Sequence, residues 1–96
     1  MRRAPTYAGP KFPLGRVVAT SGAYNTLTLY DINRGLFCHG RGDWGEVSEE
    51  DKRLNDAALL EGTRIHSAYD AENDVRFWVI TEADRSVTTV LLPDEY

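Results

Sequence analysis

Apolar and polar positions are most regular in the last third of the chain. Arg76-Phe-Trp-Val-Ile-Thr-Glu82 and Ser86-Val-Thr-Thr-Val-Leu-Leu92 are β-branched and aromatic runs separated by the polar stretch Ala83-Asp84-Arg85. Runs of this composition around a short turn read as paired strands. A third run, Thr63 to Tyr69, precedes them across the turn-forming residues Asp70-Ala71-Glu72-Asn73-Asp74. Connections this short join only antiparallel neighbours, which predicts a three-strand meander. In its middle strand Val75, Phe77 and Val79 alternate with Arg76, Trp78 and Ile80. Large apolar groups on both faces mark that strand as interior to the sheet. Leu14 to Thr20, ended by Ser21-Gly22, predicts a further strand at an edge of the meander.

The helical pattern is clearest after Ser48. A serine hydroxyl followed by Glu49, Glu50 and Asp51 offers an acceptor for the first-turn amides and three carboxylates at the positive end of the helix dipole. Leu54, Ala57, Ala58 and Leu60 share an arc of roughly 160° at about 100° per residue, which predicts a helix laid on the sheet by that arc. Leu59 falls outside the arc, and Gly62 ends the helix. Between Ala23 and Arg41 the patterns conflict. Thr26, Thr28 and Tyr30 favour extended chain, while Ile32, Leu36 and Phe37 favour a helix over residues 31 to 39 with Asp31 as its cap. The expected fold class is α+β: an antiparallel sheet of about four strands, made of the C-terminal meander plus the N-terminal strand, with one or two helices on one face.

The chain has 96 residues, enough for one modest core, and 42% of them are hydrophobic. A cofactor-binding domain joined to a substrate domain is excluded by size. Pro5, Pro10 and Pro13 make residues 1–13 an extended or flexible segment ahead of a single domain over residues 14–96. No apolar run is long enough for a membrane span, and Met1-Arg2-Arg3 is not followed by the apolar stretch of a signal peptide. Together with the single cysteine, Cys38, this predicts a cytoplasmic protein. The net charge of −4 divides unevenly: residues 1 to 42 carry six Lys/Arg against Asp31 alone, while residues 43 to 96 carry five against fourteen acids. Such segregation suits macromolecular partners, or is simply a solvated surface.

Five blocks carry a resemblance: Phe12-Pro-Leu-Gly-Arg-Val-Val-Ala-Thr20, Gly42-Asp-Trp-Gly45, Glu50-Asp-Lys-Arg-Leu-Asn55, Ile65-His-Ser-Ala-Tyr69, and Trp78 through Tyr96. They resemble a family of small bacterial proteins borne by plasmids, phages and integrated elements, some of them labelled as type I restriction subunits despite their small size. The resemblance implies a genomic neighbourhood and no particular chemistry. This chain departs from the family between Ala23 and Arg41, where members read as helical and this sequence has Thr26-Leu-Thr-Leu-Tyr30.

Candidate chemistry is sparse. Cys38, His39 and His66 are the only cysteine and histidines from which to build a cysteine enzyme or a Cys/His metal site, and they lack the paired spacing of structural zinc sites. Asp43, Glu46, Glu49, Glu50 and Asp51 crowd nine positions. Helix capping accounts for the later ones, and a phosphate-mimicking acidic surface is the sharper reading of the group. Arg2, Arg3, Lys11 and Arg16, with Tyr7, Phe12 and Tyr24, are a weak set for phosphate contact and base stacking. Glu82, Asp84 and Arg85 make a highly charged turn, either rigidified by pairing of Arg85 with Asp84 or Glu82 or serving as a recognition loop beside Tyr69 and Trp78. Trp44, flanked by glycines, is expected in the core.

The expected function is that of a non-enzymatic protein-binding module with no cofactor or metal, no direct nucleic-acid reading and no membrane. Tyr69, Trp78, Glu82, Asp84, Arg85, Asp43, Glu46, Glu49 and Glu50 are the expected contact residues. Through the resemblance, the partner is a host protein such as a CRISPR or restriction effector subunit. A small cysteine enzyme or nucleic-acid-associated protein, and a homodimeric scaffold with an exposed sheet edge, are the competing readings.

Overall fold

Short turns set the sheet, and one long connection closes it. The computed structural model describes residues 9–96. Its elements are β1 (Arg16–Ala19), α1 (Ser21–Thr26), α2 (Leu29–Gly40), α3 (Glu49–Glu61), β2 (Ile65–Asp70), β3 (Arg76–Thr81), β4 (Val87–Leu91) and a final 3₁₀ turn (Pro93–Glu95). The strand order is β1-β4-β3-β2. β2, β3 and β4 form the expected antiparallel meander, with Tyr69 opposite Phe77 and Val79 opposite Val90.

β1 takes an edge as expected but runs parallel to β4, with Arg16 opposite Val87 and Ala19 opposite Val90. The sheet is therefore mixed, not antiparallel throughout. The helices and the meander intervene between β1 and β4, and a connection of that length imposes no antiparallel return.

The region of conflicting patterns is helical. Thr20 and Thr28, which read as strand formers, accept hydrogen bonds from the Ala23 and Asp31 amides and cap α1 and α2. α2 thus starts ahead of the expected residue 31. Asp31, expected as its cap, lies inside the first turn, buried, and takes bonds from the Thr28 hydroxyl and the Glu72 amide.

α3 begins and ends as expected: the Ser48 hydroxyl accepts from the Asp51 amide, and Gly62 closes the helix at φ 73°. Its buried face differs. Leu60 is 92% and Leu54 61% exposed, while Asn55 and Ala58 are buried and Leu59 packs against the core. The helix lies along the outer edge of β2 instead of flat on the sheet. There Asn55 Nδ2 donates to the His66 carbonyl at 2.8 Å, and its Oδ1 accepts from the His66 amide at 3.1 Å. Two residues on, the Ala68 amide donates to the Trp44 carbonyl and its carbonyl accepts from the Glu46 amide. The β2 edge is thereby closed, and among the described residues β1 pairs with β4 alone.

The core lies on the sheet face that carries Tyr69, Phe77, Val79 and Val90, beneath Ala23, Leu27 and Ile32 of the first helical region. A neighbouring cluster joins Phe12, Trp44, Ala58 and Ile65. Trp44 is buried as expected, with its indole N–H donating to Asp56 at 2.9 Å. Phe12 is buried as well, so packing begins ahead of the expected start at Leu14.

Candidate functional site

Alternation along β3 turns Trp78 away from the core side of the sheet. On that outer face its ring meets His66 edge-on at 4.4 Å and Tyr96 at 5.7 Å between centroids. Tyr96 is held by Arg64, which stacks over its ring and donates to its hydroxyl. The 3₁₀ turn reaches this position because Glu95 accepts from the Thr20 hydroxyl and the Gly22 amide, contacts that also keep its carboxyl below the usual carboxylate range.

Between this aromatic group and the first turn of α3 lies a groove of about 390 Å³. Trp78, His66 and Ala68 line it from the sheet, and Val47, Leu54 and Asn55 from α3 and the segment before it. Glu46, Asp51, Arg64 and Arg76 supply its charges. Arg76 is held by Asp70 in a forked ion pair at 2.6 and 3.1 Å, which lowers the Asp70 pKa through that hydrogen bonding. The carboxylates of Glu46 and Asp51 take part in no ion pair or hydrogen bond among the described residues. The His66 pKa is lowered, first by burial and then by Arg64, so its ring is neutral at neutral pH.

The expected contact residues are only partly brought together. Trp78 and Glu46 line the groove. Glu49 and Glu50 are exposed on the first turn of α3, Glu49 paired with Lys52 at 3.3 Å. Tyr69 does not join them. It stands opposite Phe77, on the face away from Trp78, and is 4% exposed with its hydroxyl donating to the Asp43 carbonyl. Burial pushes its phenol pKa up. Asp43 is exposed and its carboxylate accepts from the Gly45 amide.

The charged turn is built differently from either expected ion pair. Arg85, at φ 61°, donates to the backbone carbonyls of Thr63, Glu82, Ala83 and Ala58, and its guanidinium lies 5.6 Å from the Phe12 ring centroid. It ties the hairpin to the end of α3 through these backbone carbonyls. Asp84 accepts from the Ser86 amide, and Glu82 and Asp84 stay exposed.

The cysteine–histidine pair does not assemble. Cys38 packs with the Phe77 and Val79 cluster, whereas His66 meets Trp78 edge-on on the other face of the sheet. Burial raises the Cys38 pKa, the opposite of what a nucleophilic thiolate requires. His39 is fully buried between Ser67 and Thr81. No group of three His, Cys, Asp or Glu side chains converges among the described residues.

Of the weak phosphate-contact set, Arg2, Arg3 and Tyr7 lie outside the described residues, Phe12 is in the core and Tyr24 is exposed. Among the described residues no helix is long and apolar enough to cross a membrane. Arg64, Leu54 and Val47 are absent from the expected contact residues, and His66 enters the sequence reading only as a catalytic partner or metal ligand. Parity with Trp78 is the pattern that unites His66 with it, once the β2–β3 register is known.

Comparison with protein-family models, with curated proteins and with solved structures yields no match for this chain.

Proposed function

We propose that this protein is a non-enzymatic binding module that acts by covering a surface of a host protein, with the groove at Trp78 as its contact surface. The observation that carries this reading is an aromatic group on the outer sheet face, opening into a groove rimmed by charges of both signs. Buried aromatic anchors ringed by polar groups are the usual make-up of a protein contact. The separation of Cys38 from His66 across the sheet weighs against the cysteine-enzyme alternative. The resemblance to proteins of plasmids, phages and integrated elements supports a host defence effector, of the CRISPR or restriction kind, as the target.

The test is affinity capture of the tagged protein from a bacterial host lysate, with Trp78→Ala and Leu54→Arg in parallel. Leu54 is exposed at the groove, so its substitution changes the surface and spares the fold. The expected result is a partner recovered at stoichiometric level by the wild type and lost from both variants, with the melting temperature of Leu54→Arg unchanged. Equal recovery by both variants removes this surface.

A further inference from the structure

We propose that the groove seats an arginine side chain presented by the partner, stacked on Trp78 and paired with Glu46 and Asp51. The inference rests on the protein-binding reading above and names the chemistry that reading leaves open. Its basis is the charge left over in the groove once internal pairs are removed. Arg76 is neutralised by its fork with Asp70, and Arg64 is committed to the ring and hydroxyl of Tyr96. The Glu46 and Asp51 carboxylates form no ion pair among the described residues. Glu46 lies within electrostatic reach of Arg76, and two carboxylates against Arg64, the lining cation not paired with a carboxylate, leave the groove with an excess of negative charge.

These two carboxylates share the groove with the Trp78 ring, the best aromatic partner for a cation. A guanidinium combines the two demands: its flat face stacks on an indole while its edge donates to carboxylates. His66 next to the indole is neutral at neutral pH and does not repel it. An acidic partner side chain would instead meet both carboxylates, with Arg64, already engaged by Tyr96, as the one lining cation not paired with a carboxylate.

The experiment is an NMR titration of the ¹⁵N-labelled full chain with the blocked tripeptide acetyl-Gly-Arg-Gly-amide, and with acetyl-Gly-Glu-Gly-amide as control. The expected result is saturable shifts at the Trp78 indole N–H and the amides of Glu46, Ser48, Asp51 and His66 with the arginine peptide alone. The apparent dissociation constant should rise about fivefold in the Glu46→Gln, Asp51→Asn double variant, as loss of two exposed ion pairs implies. Absence of localised shifts, equal shifts with the glutamate peptide, or unchanged affinity in the double variant overturns the arginine seat. Partner capture that depends on Trp78 without any tripeptide response overturns the seat and keeps the binding reading. A tripeptide response at these positions supports the seat even where captured partners prove indifferent to Trp78.

Discussion

His39 Nε2 lies 2.8 Å from the Thr81 hydroxyl, at one end of a hydrogen-bonded chain whose proton order is set at the Leu14 carbonyl. The Leu14 carbonyl accepts only, so the Thr88 hydroxyl donates to it at 2.7 Å. Thr81 then donates to Thr88 at 2.6 Å, which leaves its oxygen to accept from His39. Nε2 therefore carries the hydrogen, and Nδ1 accepts from Ser67 at 2.6 Å.

A second proton on His39 would reverse the Ser67 contact inside the core. Burial accordingly lowers its pKa from 6.5 to about 3. The unfolded chain thus binds more protons than the fold between these values. Stability contributed by neutral His39 is complete above pH 6.5 and is lost progressively as pH falls towards 3. The expected slope is about 1.4 kcal/mol per pH unit, with His66 adding in the same direction. Urea denaturation at about pH 7 and about pH 5.5 checks this window, since Asp70, Asp84 and Glu95 are held below the usual carboxylate range by their hydrogen bonds and stay ionised across it. Histidine ¹⁵N shifts should keep His39 as the Nε2–H tautomer throughout. A protonated His39 at about pH 5.5 contradicts the proton order.

Asn55 supplies the outer edge of β2 with the donor and acceptor that a further strand would provide. Asn55→Ala leaves the His66 amide and carbonyl without partners at a part-buried position and should cost about 2 to 3 kcal/mol. Asn55→Asp keeps the acceptor and loses the donor, so its cost should fall between wild type and alanine. Denaturant midpoints rank the three, and hydrogen exchange at the His66 amide should speed up in Asn55→Ala ahead of the rest of the sheet.

Gly45 and Gly62 share a left-handed backbone, with φ of 74° and 73°, and differ in surroundings. A Cβ on Gly62 meets nothing within 4 Å, whereas on Gly45 it would stand 2.0 Å from the Ala68 carbonyl oxygen. Gly62→Ala should therefore cost only the conformational penalty, about 1 kcal/mol. Gly45→Ala adds a clash with β2 itself and should cost about 3 kcal/mol or more, with loss of the Trp44 and Glu46 bonds to Ala68. Thermal melts of the two variants separate backbone strain from overpacking.

Features written in neighbouring residues were legible in the chain. Ser48 with its acidic successors, Gly62, and the meander around Trp78 depend on contacts a few residues apart. Thr28 misled because a threonine serves equally in a strand or as a helix cap, and the choice follows from Leu27 entering the core beside it. The buried side of α3 was hidden by Leu54 and Leu60, since the helix meets the edge of β2 through Asn55 and not the sheet through its leucines. Within the site, Trp78 was visible as an exposed-face aromatic, but the side taken by Tyr69 depends on the β2–β3 register. A shift of one residue there would exchange Tyr69 for Ala68 on the groove face.

Arg85 ties the turn of the last hairpin to α3 through its side chain. Its guanidinium reaches the Ala58 carbonyl at 2.9 Å in the final turns of α3 and the Thr63 carbonyl at 2.7 Å just before β2. A charged donor near helix C-terminal carbonyls also complements the helix dipole. Arg85→Ala should therefore destabilise the domain by about 2 kcal/mol, the range for hydrogen bonds to a charged group. Arg85→Lys should recover part of this, because an ammonium reaches one carbonyl well but lacks the fork that spans several. Asp84→Ala, at an exposed position bonded to Ser86, should change stability by less than about 1 kcal/mol. Chemical denaturation of the three variants, with hydrogen exchange over residues 57 to 63, makes the comparison. An Arg85→Ala variant as stable as wild type that fails to hold the captured partner would return Arg85 to the contact surface. Loss of stability with partner binding intact in the folded fraction assigns it to the scaffold that keeps α3, and with it the acidic side of the groove, in register with the sheet.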